Sequence, residues 1–228
     1  FDMTVEVTTL ENGLQVATDT FNTVETVSVG ARVSVGTRHE SPELNGISHL
    51  LEHMAFKGTK RRSALSIAEE IEAVGGHLNA YTSRENTAYF AKVLKEDLAL
   101  ATDIIADILQ NALLDHNELE RERTVIIQEI NQAHDTPDDI IFDYFQQAAY
   151  PDQAIGRSVL GTPSKIEGIE RDTIKNFMME NYACDRIVLA AAGNVEHETF
   201  VALANDHFTN LPQNRPIDTE TLDYVLSL

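Results

Sequence analysis

Apolar and polar positions change period several times along the chain, and each change marks an element. Positions 5–10 and 14–18 flank Asn12-Gly13, a tight-turn pair, and predict a β-hairpin. From 27 to 35 the alternation is strict: Val27, Val29, Ala31, Val33 and Val35 face one way, and Ser28, Gly30, Arg32 and Ser34 the other. That is the pattern of a half-buried strand in an antiparallel sheet. A helix starts near Asn45 or Gly46 and stops at Gly58. Another covers 63–74, with Ser66 and Glu69 at capping-box spacing if it starts late, and Gly75-Gly76 ends it. Strands are expected at 77–81 and 87–94, joined through Ser83-Arg84-Glu85-Asn86.

Helical spacing then returns. Leu98, Ala101, Ile105, Ile108, Leu109 and Ala112 mark a helix within 97–113. Asp115 caps the next, with Glu118 at the box position and Leu119, Ile126, Ile130 and Ala133 as its apolar stripe. Pro137 precedes a further helix, Thr162-Pro163 opens one running to about 181, and the last covers 196–208. Positions 187–192 are continuously apolar and read as a strand buried on both faces. Pro212, Pro216 and the polar residues between them have the composition of a linker. The order of strands and helices predicts an α+β fold, an antiparallel or mixed β-sheet with helices packed on one face.

Within the first long helix stands His49-Leu50-Leu51-Glu52-His53, an H-x-x-E-H motif. At 100° per residue, Glu52 lies about 60° to one side of His49 and His53 about 40° to the other, so the three share a face. Two imidazoles at i and i+4 can hold one zinc ion, and the carboxylate beside them can take a proton from water. A polar helix face on which these residues fall together fits the motif equally well. Catalytic zinc needs a third protein ligand. Glu122 and Glu129, seven apart, stack on one flank of the capped helix's apolar stripe, where a carboxylate can point into a cleft. Glu122 reads either as a partner orienting a ligand histidine or as a solvated carboxylate paired with a nearby arginine.

Glu129 stands 76 positions after His53. With that spacing the chain resembles the pitrilysin (insulinase-like) zinc peptidases, in which H-x-x-E-H is completed by a glutamate at about this distance. The resemblance runs from about residue 3 to residue 212. It implies a zinc endopeptidase with His49, His53 and Glu129 as metal ligands, Glu52 as general base, and Glu122 close to the site without binding the metal. It also implies that 77–85 is an active-site edge strand, where the backbone at Asn79 and Ala80 pairs with an extended peptide substrate. Phe56 resembles a position lining the pocket beyond the scissile bond, although a Phe at a helix end is commonly core. In that family one subunit holds two homologous domains in tandem. Residues 1–212 then correspond to the zinc-bearing domain, and 213–228 to a linker towards a second domain or subunit, in a homo- or heterodimer. A fragment of this kind is expected to be weak or inactive alone. Non-catalytic relatives of the fold serve as structural or partner subunits, and a zinc-stabilised binding domain is a third possibility; a closed structural site would want four protein ligands.

Composition narrows this further. Seventeen Lys and Arg against 37 Asp and Glu give a net charge of −20, which disfavours nucleic acid and anionic membranes and favours basic peptides or plain solubility. Asp135, Asp138 and Asp139, soon after Glu129, point the same way. Cys184 is the single cysteine, so no internal disulfide forms and zinc ligation falls to His and Glu. No run of 18 apolar residues is present, so no membrane span is expected. The start at Phe1, without Met or an apolar signal region, reads as an artificial or processed end. A bacterial cytoplasm is the first expectation for the compartment, with a mitochondrial matrix or periplasm as alternatives. His39, His116, His134, His197 and His207 have no partner at ligand spacing and read as surface or satisfied histidines, while His77 sits beside the expected substrate strand.

Overall fold

A computed structural model describes residues 5–213 of the 228. The hairpin forms as β1 (Glu6–Thr9) and β2 (Gln15–Thr20), closed by Gly13 N–H on Leu10 O at 2.9 Å and by Leu14 N–H on the Asn12 side chain at 3.0 Å. β3 (Thr26–Val33), β4 (His77–Thr82), β5 (Thr87–Leu94) and β6 (Ile187–Gly193) complete a six-stranded sheet in the order β1-β2-β6-β3-β5-β4. The sheet is mixed: β2 and β6 run parallel, and the other neighbours are antiparallel.

Helices pack on one face, as the alternation along β3 requires. Val27, Val29, Ala31 and Val33 are buried, while Ser28 and Arg32 stay exposed on the bare face. The helices are α1 (Ile47–Ala55), α2 (Ala64–Ala73), α3 (Leu98–Asn111), α4 (His116–Asp135), α5 (Pro137–Ala149), α6 (Pro163–Gly168), α7 (Arg171–Asn181) and α8 (His197–His207). α3 lies across β3 and β5, α8 on β2, and α1 and α2 on β4.

Three expectations change. The run 187–192 is not buried on both faces: Ile187, Leu189 and Ala191 face the core, and Ala190 and Ala192 are exposed. An alanine methyl on the bare face exposes little apolar area, so a continuous apolar run here does not require two covered faces. The helix expected from 163 to 181 is two helices, because the chain turns extended at Ile169 and Glu170 and buries the Ile169 side chain. α2 starts early, not late: the Ser63 hydroxyl accepts from Ser66 N–H at 3.0 Å, so Ser63 is the cap and Ser66 lies inside the helix. The linker residues 214–228 lie outside the described part of the chain.

Candidate metal centre

α1 is fixed from within. Ile47, Leu50, Leu51, Met54 and Ala55 are buried in the core, which leaves His49, Glu52 and His53 on the half-buried face. Its cap is Gly46 at φ +102°, where a Cβ would stand 2.7 Å from Ile166 Cδ1 and 2.9 Å from Leu160 O. Only glycine fits both the backbone angle and the space. A glycine offers no side chain to the first amides, and Glu40 takes that place from six residues upstream. Its carboxylate accepts Gly46 N–H and Ser48 N–H, each at 2.8 Å, and the Asn45 amide at 3.1 Å. Burial pushes the Glu40 carboxyl above its ordinary value, and these hydrogen bonds pull against that rise.

α4 brings the second half. Asp115 caps it, accepting from Asn117 N–H at 2.9 Å and Glu118 N–H at 3.2 Å. Leu119, Ile126 and Ile130 bury its stripe, which turns Glu122 and Glu129 towards α1. Glu129 Oε2 lies 3.8 Å from His49 Nε2 and 3.6 Å from His53 Nε2. The three donor atoms all fall within 4.8 Å of one another.

These residues fit a metal ion. Ligand atoms about 2.0–2.2 Å from a tetrahedral zinc lie about 3.4 Å apart, near the separations seen and too long for ordinary hydrogen bonds. Burial, with His53 beside it, lowers the His49 pKa to about 4, so that imidazole is neutral at neutral pH, the form that can ligate. Glu122 Oε2 lies 2.9 Å from His53 Nδ1 and is not a donor of the set. A carboxylate there accepts Nδ1–H and leaves the Nε2 lone pair facing Glu129. The rival reading of Glu122, a solvated carboxylate paired with an arginine, is not what the structure has: the residue is buried, and its other oxygen lies 2.6 Å from Lys57 Nζ.

Glu52 sits beside this set. Thr82, at the end of β4, donates its hydroxyl to Glu52 Oε2 at 2.5 Å. Burial raises the Glu52 pKa, Thr82 and His53 oppose the rise, and Glu129 adds to it. Among the described residues β4 is an edge strand, paired only with β5. Asn79 is exposed and Ala80 half-buried on it, and the Asn79 side chain accepts from Ala80 N–H at 2.8 Å. Phe56, at the end of α1, is half-buried with its ring 6.1 Å from that of Tyr89. His77 is exposed, and His197 is a satisfied core residue between Thr8 and Thr18, each at 2.8 Å. Two cavities, of about 320 and 480 Å³, open elsewhere, and neither is lined by His49, Glu52, His53 or Glu129.

Glu40, Lys57 and Thr82 escaped the sequence. Glu40 lies outside the window in which a helix cap is sought. Thr82 and Lys57 meet their partners across 30 and 65 residues of chain, where local periodicity carries no information.

The α+β layers recur in known proteins. Residues 15–163 match the family model of insulinase (peptidase family M16), and residues 168–226 match that of the peptidase M16 inactive domain. The chain belongs to the insulinase (peptidase M16) family, as the resemblance in its motif implied. It is 44% identical over 207 residues to the mitochondrial-processing peptidase subunit beta of Lentinula edodes, covering 91% of this chain and 44% of the relative. With the subunit beta of Rattus norvegicus it shares 46% over 203 residues, 89% of this chain and 41% of that one. A protease from Helicobacter pylori superposes with a TM-score of 0.89 at 26% identity, over 95% of this chain and 53% of that one. Pitrilysin has the same fold, with a TM-score of 0.83 at 24% identity over 94% of this chain and 23% of its own. The chain spans less than half the length of these curated relatives. Among the described residues no helix is long and apolar enough to cross a membrane.

Proposed function

We propose that this chain is the metal-bearing part of a zinc-dependent endopeptidase acting on extended peptides. The observation that carries the reading is the convergence of His49, His53 and Glu129 beside Glu52, from two helices far apart in sequence. His49 and His53 through Nε2, and Glu129 through its carboxylate, would hold the ion. Zinc supplies Lewis acidity, both to the peptide carbonyl and to water.

The chain's own residues do the rest. Glu52 takes a proton from the attacking water at Oε1, while Thr82 holds Oε2. The water oxygen bonds to the peptide carbon, and Glu52 passes the proton to the nitrogen as the C–N bond breaks. A carboxyl made more basic by burial suits that task. Glu122 keeps His53 in the ligating tautomer. The substrate adds as a strand to the free edge of β4, near Asn79 and Ala80, and displaces the Asn79 side chain from Ala80 N–H. Phe56 lines the pocket beyond the scissile bond. The net charge of −20, with Asp138 and Asp139 exposed at the start of α5, favours basic, presequence-like peptides.

The relatives' greater length and the match to an inactive-domain model support a second homologous domain or a partner subunit, which would close over the peptide. Without it the substrate meets one strand edge only, and cleavage by this chain alone is weak. The mitochondrial names of the relatives support a matrix location and give no support to the bacterial cytoplasm first expected. The test is metal analysis together with cleavage of an arginine-rich peptide, wild type against Glu52→Gln, alone and within the longer subunit. One zinc per chain in both, with turnover reduced about 10²–10⁴-fold in the variant, is the expected result. Turnover near wild type in zinc-loaded Glu52→Gln would remove Glu52 from the mechanism. Zinc without cleavage in any form of the wild type would favour the non-catalytic subunit reading.

A further inference from the structure

The run Lys57, Lys60, Arg61 and Arg62 holds four of the chain's 17 Lys and Arg, and three of the four are tied to carboxylates. Arg61 and Arg62 turn to α3 and α2: Arg61 pairs with Asp103 at 2.5 Å, and Arg62 with Asp103, Asp107 and Glu70 at 2.7, 3.0 and 2.9 Å. They anchor the segment after α1. Lys57 turns the other way from the two arginines. Its ammonium lies 2.6 Å from Glu122 Oε1, while Glu122 Oε2 lies 2.9 Å from His53 Nδ1.

The chain Lys57–Glu122–His53 has a physical reason. Glu122 is buried, with 7% of its side chain exposed, and a buried carboxylate without a cation is strongly unfavourable. A ligating His53 is neutral and gives Glu122 a hydrogen bond but no full charge. The compensating charge recorded among the described residues is Lys57. Lys57 also fixes the carboxylate in space, because the two contacts hold opposite oxygens and so set its plane against the imidazole.

We propose that Lys57 is a positioning residue of the metal centre: through Glu122 it holds the His53 ring in the orientation and tautomer that present Nε2 to the ion. The inference rests on the metal reading given above. It also opposes a simpler expectation, since an ammonium near a divalent cation repels it, and its removal on that ground alone strengthens zinc binding. Orienting partners of ligand histidines are worth about 10–100-fold in metal affinity, and the proposal takes this effect to be the larger.

The sign of the change therefore decides. Zinc affinity of the 228-residue chain is measured by competition with a chromogenic chelator, which needs no peptidase activity. Lys57→Met keeps the stem and loses the charge, and should bind zinc about tenfold more weakly. Lys57→Arg should stay within about threefold of wild type, as an ammonium replaced by a guanidinium still pairs with the carboxylate. In a Glu122→Gln background Lys57→Met should have little further effect, the mark of a residue acting through another. Melting of the zinc-free variants checks that each folds, and Lys57→Gln serves in place of Lys57→Met if the latter does not. Unchanged or tighter zinc binding in Lys57→Met overturns the proposal, as does a full loss that persists in Glu122→Gln. A wild-type chain that binds no zinc overturns the metal reading itself, which is a different outcome.

Discussion

In α1 six of nine residues are buried, whereas in α5 none of thirteen is. Both helices are amphipathic, and both carry groups with chemistry to offer: His49, Glu52 and His53 on the first, Asp138, Asp139 and Asp143 on the second. α1 is gripped at every level. Its apolar side enters the core, Glu40 closes its first amides, Thr82 holds Glu52 and Glu122 holds His53. α5 leaves Phe142 69% and Phe145 64% exposed. Of its three aspartates, Asp143 is tied, to Arg84 at 2.6 Å and to the Ser158 hydroxyl at 2.7 Å. The contrast separates two demands. Under the proposed function, metal ligands and a proton acceptor must be held to within fractions of an ångström, and His49, Glu52 and His53 do sit on a packed element with supporting contacts. On the same reading, an exposed helix such as α5 offers basic peptides charge and apolar area, which needs less fixed geometry.

The sharpest way to break this contrast is at the donor set. Glu129→Gln removes one of three proposed ligands and its charge, and zinc affinity should fall beyond the roughly 10–100-fold typical of losing an orienting partner. Wild-type affinity in a chelator competition would move the third ligand elsewhere, with His134, five positions on, the next to test.

A smaller effect is expected at the cap. Glu40→Ala leaves the buried Gly46 and Ser48 amides without their acceptor and should lower stability by about 2–3 kcal/mol in denaturant unfolding. A loss under about 0.5 kcal/mol would mean that α1 is held by its apolar side alone.

Acid probes the segment after α1. Burial pushes the Asp103 carboxyl up, but the hydrogen bonds from Arg61 and Arg62 prevail and hold it at about 2, below its ordinary 3.8. A depressed carboxylate stabilises the fold above its unfolded pKa and loses that contribution as pH falls through the folded value. Stability should therefore drop between pH 4 and pH 2, by about 1 kcal/mol for this group once solvent screening is allowed for. Asp103→Asn should flatten that part of the curve, and an unchanged acid slope would deny the ion pairs a role.

The smallest change is expected on α5. Phe142→Ser and Phe145→Ser should each shift stability by no more than about 0.5 kcal/mol, because both rings stay mostly in water on folding. A loss above about 1.5 kcal/mol from either would erase the distinction between the helices.

The sequence by itself determined what is local. Alternation along 27–35 specified a strand with one buried face, and the i, i+4 spacing placed His49 and His53 together on α1 whatever lay around them. Asp115 marked the start of α4, since its side chain reaches amides two and three residues on. Local pattern misread the run 187–192, because apolar residues in sequence do not tell how many faces of a strand are covered, and it joined α6 to α7 across Ile169. Convergence was decided by the tertiary structure alone. The approach of Glu129 to both imidazoles could be named beforehand only by resemblance to known peptidases. Glu40 at the amides of α1, Lys57 at Glu122 and Thr82 at Glu52 were not foreseen. The Lys57 and Thr82 contacts join elements whose separation in space is set by how α1 packs against α4 and β4, and the Glu40 contact depends on how the chain turns between residue 40 and α1. Hydrogen bonds and ion pairs need their atoms within about 3–4 Å of each other, and a sequence by itself sets such distances only between near neighbours.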